Sequence, residues 1–523
     1  MRFTPKLPQL LVDGSRAVRA GVSDNAPALQ ALVDTTAAAG GGLIQLPNGA
    51  FNFLSGVNWR SKVGLIGSGA TVLLPQGQFS GGVIQQLSNG PITAGPTALA
   101  TAVPLTDCLF ERFEIDGSGY TNTTSSISSK GMFIIYMQRA IFRNLYIHHC
   151  IGTGLGCDFL DDTLIDGVIA HNNGRLWSTS TVFGGQSGIG IGTGWKGVET
   201  VTISNCHTNN NGNYGVFVET QEGTSQTMYP RGARMVANYA EANRIGFGNK
   251  GSGGTTFSAC EAQANVDGFV LNGLAIDDLL TGCISENNTR HGLYIPNHQG
   301  TVQVAGGRFR KNTGVGIRAD NQASMKGFHV TGAQVSRNGL QGVVLGGGIE
   351  NYSVKASTVQ DNGQLQTSGS RAGILLGGTM TSGEIKGNRI GNSSGGTTQT
   401  EPVAGSSLTG TGLTISNNDL QGNTSSIGTL FAGLGNVTGA TIANNPGYND
   451  LDAPTVLTAG ASPWAYTNGQ SPSQLYLIGA GITVQIGTQN VTSGASSAQL
   501  TLPANKTVTI TYTTMTAAKV MRI

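Results

Sequence analysis

One motif recurs through the middle of the chain: a short apolar strand, a polar turn rich in Asn, a Gly, and a second short strand. The copies read VTISNCHTNNNGNYGVFVE, FSACEAQANVDGFVLN, LTGCISENNTRHGLYIP, VQVAGGRFRKNTGVGIRAD, FHVTGAQVSRNGLQGVVLG and YSVKASTVQDNGQLQTSGSRAGILLG. The Gly that opens the second strand falls at Gly215, Gly246, Gly268, Gly292, Gly316, Gly342 and Gly373, at intervals of 31, 22, 24, 24, 26 and 31 residues. A basic period of 22 to 24 residues with two or three short strands is one coil of a solenoid. Leucine-rich repeats share the period, but their leucine frame is missing, and propeller blades need about 40 residues. The predicted fold is all-β, a single-stranded right-handed parallel β-helix whose coils stack at roughly 4.8 Å. Val and Ile are expected inward at alternate positions, and Asn at corners that need left-handed backbone angles. Intervals above 24 imply inserted loops, which close at little cost and often carry function.

Composition agrees with a packed, weakly charged solenoid. Gly supplies 80 of 523 residues, about twice its usual share, without the Gly-X-Y period of collagen. Thirty basic and 28 acidic residues leave a formal charge of +2, so no polybasic footprint for nucleic acid or an anionic membrane exists. Cys108, Cys150, Cys157, Cys206, Cys260 and Cys283 show no metal-ligand spacing and read as small buried hydrophobes. The start, MRFTPKLPQLLVDGSRAV, lacks a continuous apolar h-region, and no segment reaches 18 apolar residues. The expectation is synthesis in the cytoplasm without a signal peptide, no membrane insertion, and a final location on a virion tail or outside the cell.

The ends of a solenoid need caps. Residues 23–39, SDNAPALQALVDTTAAA, predict a capping helix with Asp24 or a neighbour at its start, Pro27 in the first turn and Leu29, Leu32 and Val33 on one face. Residues 93–105 and 391–407 read as loops. Beyond 452, alternating strands separated by turn dipeptides predict a small antiparallel β-module, sandwich-like. The expected organisation is an extension over 1–22, the β-helix with its cap over 23–452, and the β-module over 453–523.

DGSRAVRAGVSDNAPALQALVDTTAAAGGGLIQLPNGAFNF carries an Asp-Asn helix start, an Ala-rich helix, a Gly run and a Leu-Pro-x-Gly turn. This segment resembles the entry motif of the pectate-lyase-like β-helix superfamily. The last 60 or so residues, with PWAYTNG and LTLPANKTVTITYT, resemble a small module at the end of some phage tail proteins. The superfamily includes pectin-active enzymes, tailspike depolymerases, epimerases, and hydrolases and transferases acting on fructan or arabinan; many members are homotrimers. The resemblance implies a polysaccharide or oligosaccharide partner, a homotrimer, and attachment to a phage tail. One fold hosts many chemistries, so it does not select a reaction. The calcium-type aspartate cluster of pectate lyases is missing. Asp161-Asp162 and Asp277-Asp278, near the ends of second strands, stand in place of a D-x-D pair.

Stacked coils make columns. The residue four after the aligned Gly is Glu219, Lys250, Asn272, Pro296, Asp320 and Gly346, and earlier coils extend the column to Asp158 and Gly192. Alternation turns this column toward solvent. Glu219 and Asp158 would then lie two coils apart, about 9 to 10 Å, near the upper separation for an inverting glycosidase. Glu219 is the expected general acid and Asp158 the base. Asp161, Glu222 and Asp320 are the alternative carboxylates, and all of these acids also fit ordinary solvated surface positions. Two insertions, 174–187 and 220–232, bring Trp177, Tyr229 and Arg231 as sugar-binding candidates, although such loops also serve subunit packing. Lys250 and Arg318 suit neutralisation of a uronate carboxylate in a lyase. His148, His149, His171, His207, His291 and His298 read mostly as turn or surface residues, with His149 or His171 able to assist the acids. No metal or other cofactor is expected. The leading expectation is a glycoside hydrolase in a phage-tail depolymerase. A lyase or intramolecular glycosyl transferase, and a non-enzymatic glycan-binding fibre or adhesin, stay open.

Overall fold

The computed structural model describes residues 10–16, 18–87, 102–124, 126, 128–177, 185–195, 199–221, 232–273, 275–320, 322, 325–367, 370–393, 396–423, 437–447, 455–468 and 473–522. They form two compact units, residues 1–326 and 327–523. The first opens with a short strand, Leu11–Asp13, which pairs in parallel with Gly42–Gln45, and then the helix Ala26–Ala38, whose Leu29 and Val33 are buried and whose first turn holds Pro27. Its N-cap position is Asn25, without a side-chain cap bond, while Asp24 Oδ1 accepts from Ala26 N at 2.9 Å and Leu54 N at 3.0 Å.

The coils that follow have three faces, each a parallel ladder. One ladder includes Gly82–Gln86, Ile189–Thr193, Tyr214–Thr220, Ile245–Lys250 and Asp267–Asn272. The second includes Val63–Ile66, Leu105–Glu111, Val201–Ser204 and Arg234–Val236. The third includes Glu114–Asp116, Tyr146–His148, Ile169–His171 and His207–Asn209. Two long strands, Lys130–Arg143 and Leu155–Asp166, run round the corner from the first ladder into the second. Positive φ at Tyr136, Arg139, Phe159 and Asp162 makes that bend. Asp161-Asp162 thus sit inside a strand rather than near its end, and Asp278 opens the strand Asp278–Thr281.

Two kinds of asparagine hold the corners. One kind, including Asn172, Asn205 and Asn210, adopts positive φ. The other forms a buried ladder in which each Nδ2 donates to the next Oδ1: Asn173 to Asn211 (3.1 Å), Asn211 to Asn243 (2.9 Å), Asn243 to Asn265 (3.1 Å), Asn265 to Asn288 (3.3 Å) and Asn288 to Asn312 (2.8 Å). Each of these carbonyls also accepts a backbone N–H, so a turn that would otherwise bury unpaired donors is satisfied. Inside, aromatic rings stack from coil to coil, such as Phe247 on Phe269 with centroids 5.0 Å apart. All six cysteines are buried free thiols.

The second unit repeats the coil pattern over strands such as Tyr352–Lys355, Thr358–Gln360 and Ala372–Thr381. The strand Glu401–Thr411 occupies part of the segment expected as a loop over 391–407, and Leu105 likewise starts a strand. Residues 93–101 lie outside the described residues. Strands between Thr455 and Arg522 then form one six-stranded antiparallel sheet around Leu475, Leu477, Val484, Leu502 and Ile510. The long strand Ser473–Ile486 pairs with three others along its length. No helix among the described residues is long and apolar enough to cross a membrane.

Candidate active site

Four neighbouring strands of the first ladder build the site: Lys130–Arg143, Leu155–Asp166, Ile189–Thr193 and Tyr214–Thr220. Their register stacks Phe133, Gly156, Gly190 and Phe217 in one column. Two residues on, it stacks Ile135, Asp158, Gly192 and Glu219. The column inferred from sequence is therefore the observed one, and it continues from Glu219 to Lys250 and Asn272. Asp158 and Glu219 are two ladder steps apart, about 9.6 Å between backbones.

The glycines between them make space. With no side chains at Gly156 and Gly190, a pocket of about 360 Å³ opens between Phe133 and Phe217, bordered also by Lys130, Asp158, Glu219 and Gln221. A Cβ at Gly192 would collide with the Asp158 carboxylate and stand 2.7 Å from Gln221 Cγ.

Asp158 is only 9% exposed, which corrects its expected place on the solvated surface. Burial pushes its carboxyl above the usual carboxylate range; the Lys130 ammonium and a backbone hydrogen bond from Gly192 pull it partly back. Glu219 is less enclosed, with 22% of its side chain exposed. Burial raises it as well, opposed first by the Lys250 cation and reinforced by Asp158. Lys250 Nζ lies 3.8 Å from Glu219 Oε2, and Gln221 Nε2 donates to Glu219 Oε1 at 3.3 Å. Lys130 has its ammonium 3.2 Å from the Phe133 ring centre, and burial lowers its proton affinity against the pull of Asp158.

Beneath the Glu219 strand lies a polar support. Thr193 Oγ1 donates to Glu219 O at 3.1 Å and pairs with Ser252 Oγ at 2.7 Å. Asn249 Nδ2 donates to Asp278 Oδ1 at 2.9 Å, and His298 Nε2 lies 3.2 Å from Asp278 Oδ2. Asp278 and His298 are fully enclosed, and His148 and His291 are each 6% exposed, so the surface reading fails for these three histidines. His149 and His171 belong to the third ladder and its turn, away from the acids they were expected to assist.

The other candidates go elsewhere. Asp161 accepts from Gln138 Nε2 at 3.0 Å and Thr200 Oγ1 at 3.1 Å, a structural clasp. Asp320 accepts from Arg318 Nε at 2.7 Å and the Tyr294 hydroxyl at 2.8 Å, three ladder steps beyond Lys250. Trp177 carries the Arg244 guanidinium 5.1 Å from its ring centre and does not border the pocket. Glu222, Tyr229 and Arg231 lie outside the described residues. Sequence reading missed Lys130, Gln221 and the role of the glycines, although GIGIGTG at 188–194 strips every second position and signals a gap.

Residues 12–230 match the family model described as rhamnogalacturonase A/epimerase, pectate lyase-like. No curated protein matches the chain in sequence. A double mutant of the tailspike protein of E. coli bacteriophage HK620, solved with a pentasaccharide, is similar at 12% identity, with 97% of this chain and 90% of that chain covered and a TM-score of 0.57. A second mutant of that tailspike, also with a pentasaccharide, gives 11% identity, the same coverages and a TM-score of 0.56. The A-module of the Azotobacter vinelandii mannuronan C-5 epimerase AlgE4 gives 17% identity, 82% and 94% coverage and a TM-score of 0.44. The fold is thus a right-handed parallel β-helix like that of the HK620 tailspike, and residues 12–230 match a pectate-lyase-like family model.

Proposed function

We propose that this chain is a polysaccharide-acting enzyme that hydrolyses a glycosidic bond in the Phe133–Phe217 pocket, with Asp158 and Glu219 as acid and base. The carrying observation is the pair of partly desolvated carboxylates two ladder steps apart across glycine, which leaves room for sugar and water. With backbones about 9.6 Å apart, the pair stands at the upper limit of the carboxyl separation of roughly 6.5 to 9.5 Å used in inversion. The roles follow from surroundings. Asp158 is the more enclosed and is the general acid; Glu219 has Lys250 and Gln221 to support its charge and is the base. This reverses the order expected from sequence, which rested on a loop outside the described residues. Phe133 and Phe217 give the pocket apolar walls beside the acids.

The match to a rhamnogalacturonase/epimerase model and the likeness to a tailspike solved with a pentasaccharide support a glycan substrate. A phage-tail depolymerase working outside the cell is the setting we favour. Lys130 favours a second reading. A lysine of lowered proton affinity beside two carboxylates also suits proton abstraction from a uronate, as in a lyase or epimerase. Purified chain incubated with bacterial and plant glycans, followed by mass spectrometry, tests both. Products heavier by one water support hydrolysis, ultraviolet-absorbing unsaturated ends support elimination, and binding without product would leave a glycan-binding fibre. We also expect a homotrimer, which sedimentation equilibrium at micromolar concentration would refute by giving the monomer mass.

A further inference from the structure

The third ladder gathers a second set of polar side chains that the pocket does not use. Asp116 and His148 occupy paired positions on adjacent strands, and His149 follows at the turn with φ of 58°. The Nδ1 atoms of His148 and His149 face each other at 2.6 Å. Asp116 Oδ1 lies 3.5 Å from His148 Nδ1 and 3.6 Å from His149 Nδ1. A triangle with these sides has a point about 1.9 Å from all three corners. An ion slightly above its plane would therefore sit at the ~2.0 to 2.2 Å expected for zinc bound by imidazole nitrogen and carboxylate oxygen.

A second observation orients the set toward a cation. His148 Nε2 lies 2.9 Å from Glu114 Oε1, and a carboxylate there accepts, so the ring proton sits on Nε2. The His148 Nδ1 lone pair then points into the triangle. This is the carboxylate–histidine pairing that commonly backs a metal ligand. Glu114 and Asp116 bring two negative charges against the nearby Arg175, which donates to His149 O at 3.0 Å. The His149 side chain is 40% exposed, so an ion can enter from solvent and keep a water in its remaining position.

We propose that Asp116, His148 and His149 form a binding site for a divalent transition metal of the zinc class, clipping two successive coils together. Imidazole with one carboxylate favours zinc, nickel or copper over calcium or magnesium. Sequence spacing hides the site because Asp116 comes from the preceding coil and meets the histidines only through strand register.

The test is calorimetric titration of the untagged full chain with Zn²⁺, in parallel with His149→Asn. Asn tolerates the left-handed turn at this position, so the variant keeps the backbone. The expected result is one site per chain, weakened about tenfold or more in His149→Asn and in Glu114→Gln. Co²⁺ should give the visible absorption of a low-coordinate site in the wild type only. A metal-dependent rise in Tm should likewise be confined to the wild type. Absence of Zn²⁺ binding, or equal binding by wild type and His149→Asn, would overturn the proposal and leave a hydrogen-bonded histidine pair.

Discussion

Two stretches of the same ladder carry acids and treat them in opposite ways. Over residues 267–320, Asp267 pairs with the Arg290 guanidinium, whose Nε donates at 2.8 Å, and Asp320 is held by Arg318 and the Tyr294 hydroxyl. Each charge is compensated where it stands. Over residues 155–220, the intervening strand offers Gly190 and Gly192 instead of partners, and Asp158 and Glu219 face a cavity. Burial then raises both carboxyls. The column sets which residues are neighbours, whereas the side chains beside it decide between structure and chemistry. An acid whose counter-charge is already within hydrogen-bond reach has little left to offer a substrate.

The sharpest way to break this contrast is to remove the pocket acids. Asp158→Asn and Glu219→Gln keep shape but abolish proton transfer, and each should lower turnover by about 10² to 10⁴ with glycan binding retained. Near-normal turnover by both variants in folded protein would end the assignment. Next in size is Gly192→Ala. Its methyl group fills the gap between the carboxylates and displaces Asp158, so turnover should fall on the order of 10² while the fold persists. A Gly192→Ala enzyme as active as the wild type would mean that the reacting bond does not cross this strand.

The pH profile sharpens the division of labour. The acid must be protonated, so activity falls as pH rises through its pKa; the base must be ionised, so activity falls as pH drops through its pKa. Both carboxyls are raised, so the kcat/KM bell should sit above the ordinary carboxylate range. With Asp158 as acid, the residual activity of Asp158→Asn should lose the alkaline limb, and that of Glu219→Gln the acidic limb. The opposite pattern restores Glu219 as the acid.

The fold was legible because its physics is periodic. Alternating Val and Ile, a Gly at each strand start and Asn at each corner are local demands repeated every coil. The column holding Asp158 and Glu219 came from the same period. What stayed hidden depends on absences and on register. Gly192 matters through the side chain it lacks. Lys130 precedes its coil's Gly131 and so falls outside a column counted four residues after Gly. Asp116 joins His148 only when two coils stack. The 391–407 segment misled because its Ser, Thr and Gly resemble a loop, while backbone pairing along Glu401–Thr411 needs no apolar pattern.

The smallest expected effect belongs to Asp320→Asn, and it is the control on which the comparison rests. Asp320 shares the column with Glu219, and the sequence alone ranks it as an alternative catalyst. Its oxygens are occupied by Arg318 Nε at 2.7 Å and the Tyr294 hydroxyl at 2.8 Å, on half-exposed side chains. An exposed pair of this kind contributes about 0 to 1 kcal/mol to stability. Substitution with Asn keeps an oxygen for Tyr294 and removes only the charge that Arg318 neutralises. Turnover should therefore stay within about twofold of wild type, since no proton transfer or pocket wall is lost. A small fall in KM at low salt would fit a long anionic glycan touching the released Arg318, with kcat unchanged. A fall in kcat matching that of Asp158→Asn would move the chemistry four coils along the ladder from Glu219 and erase the distinction between paired and pocketed acids.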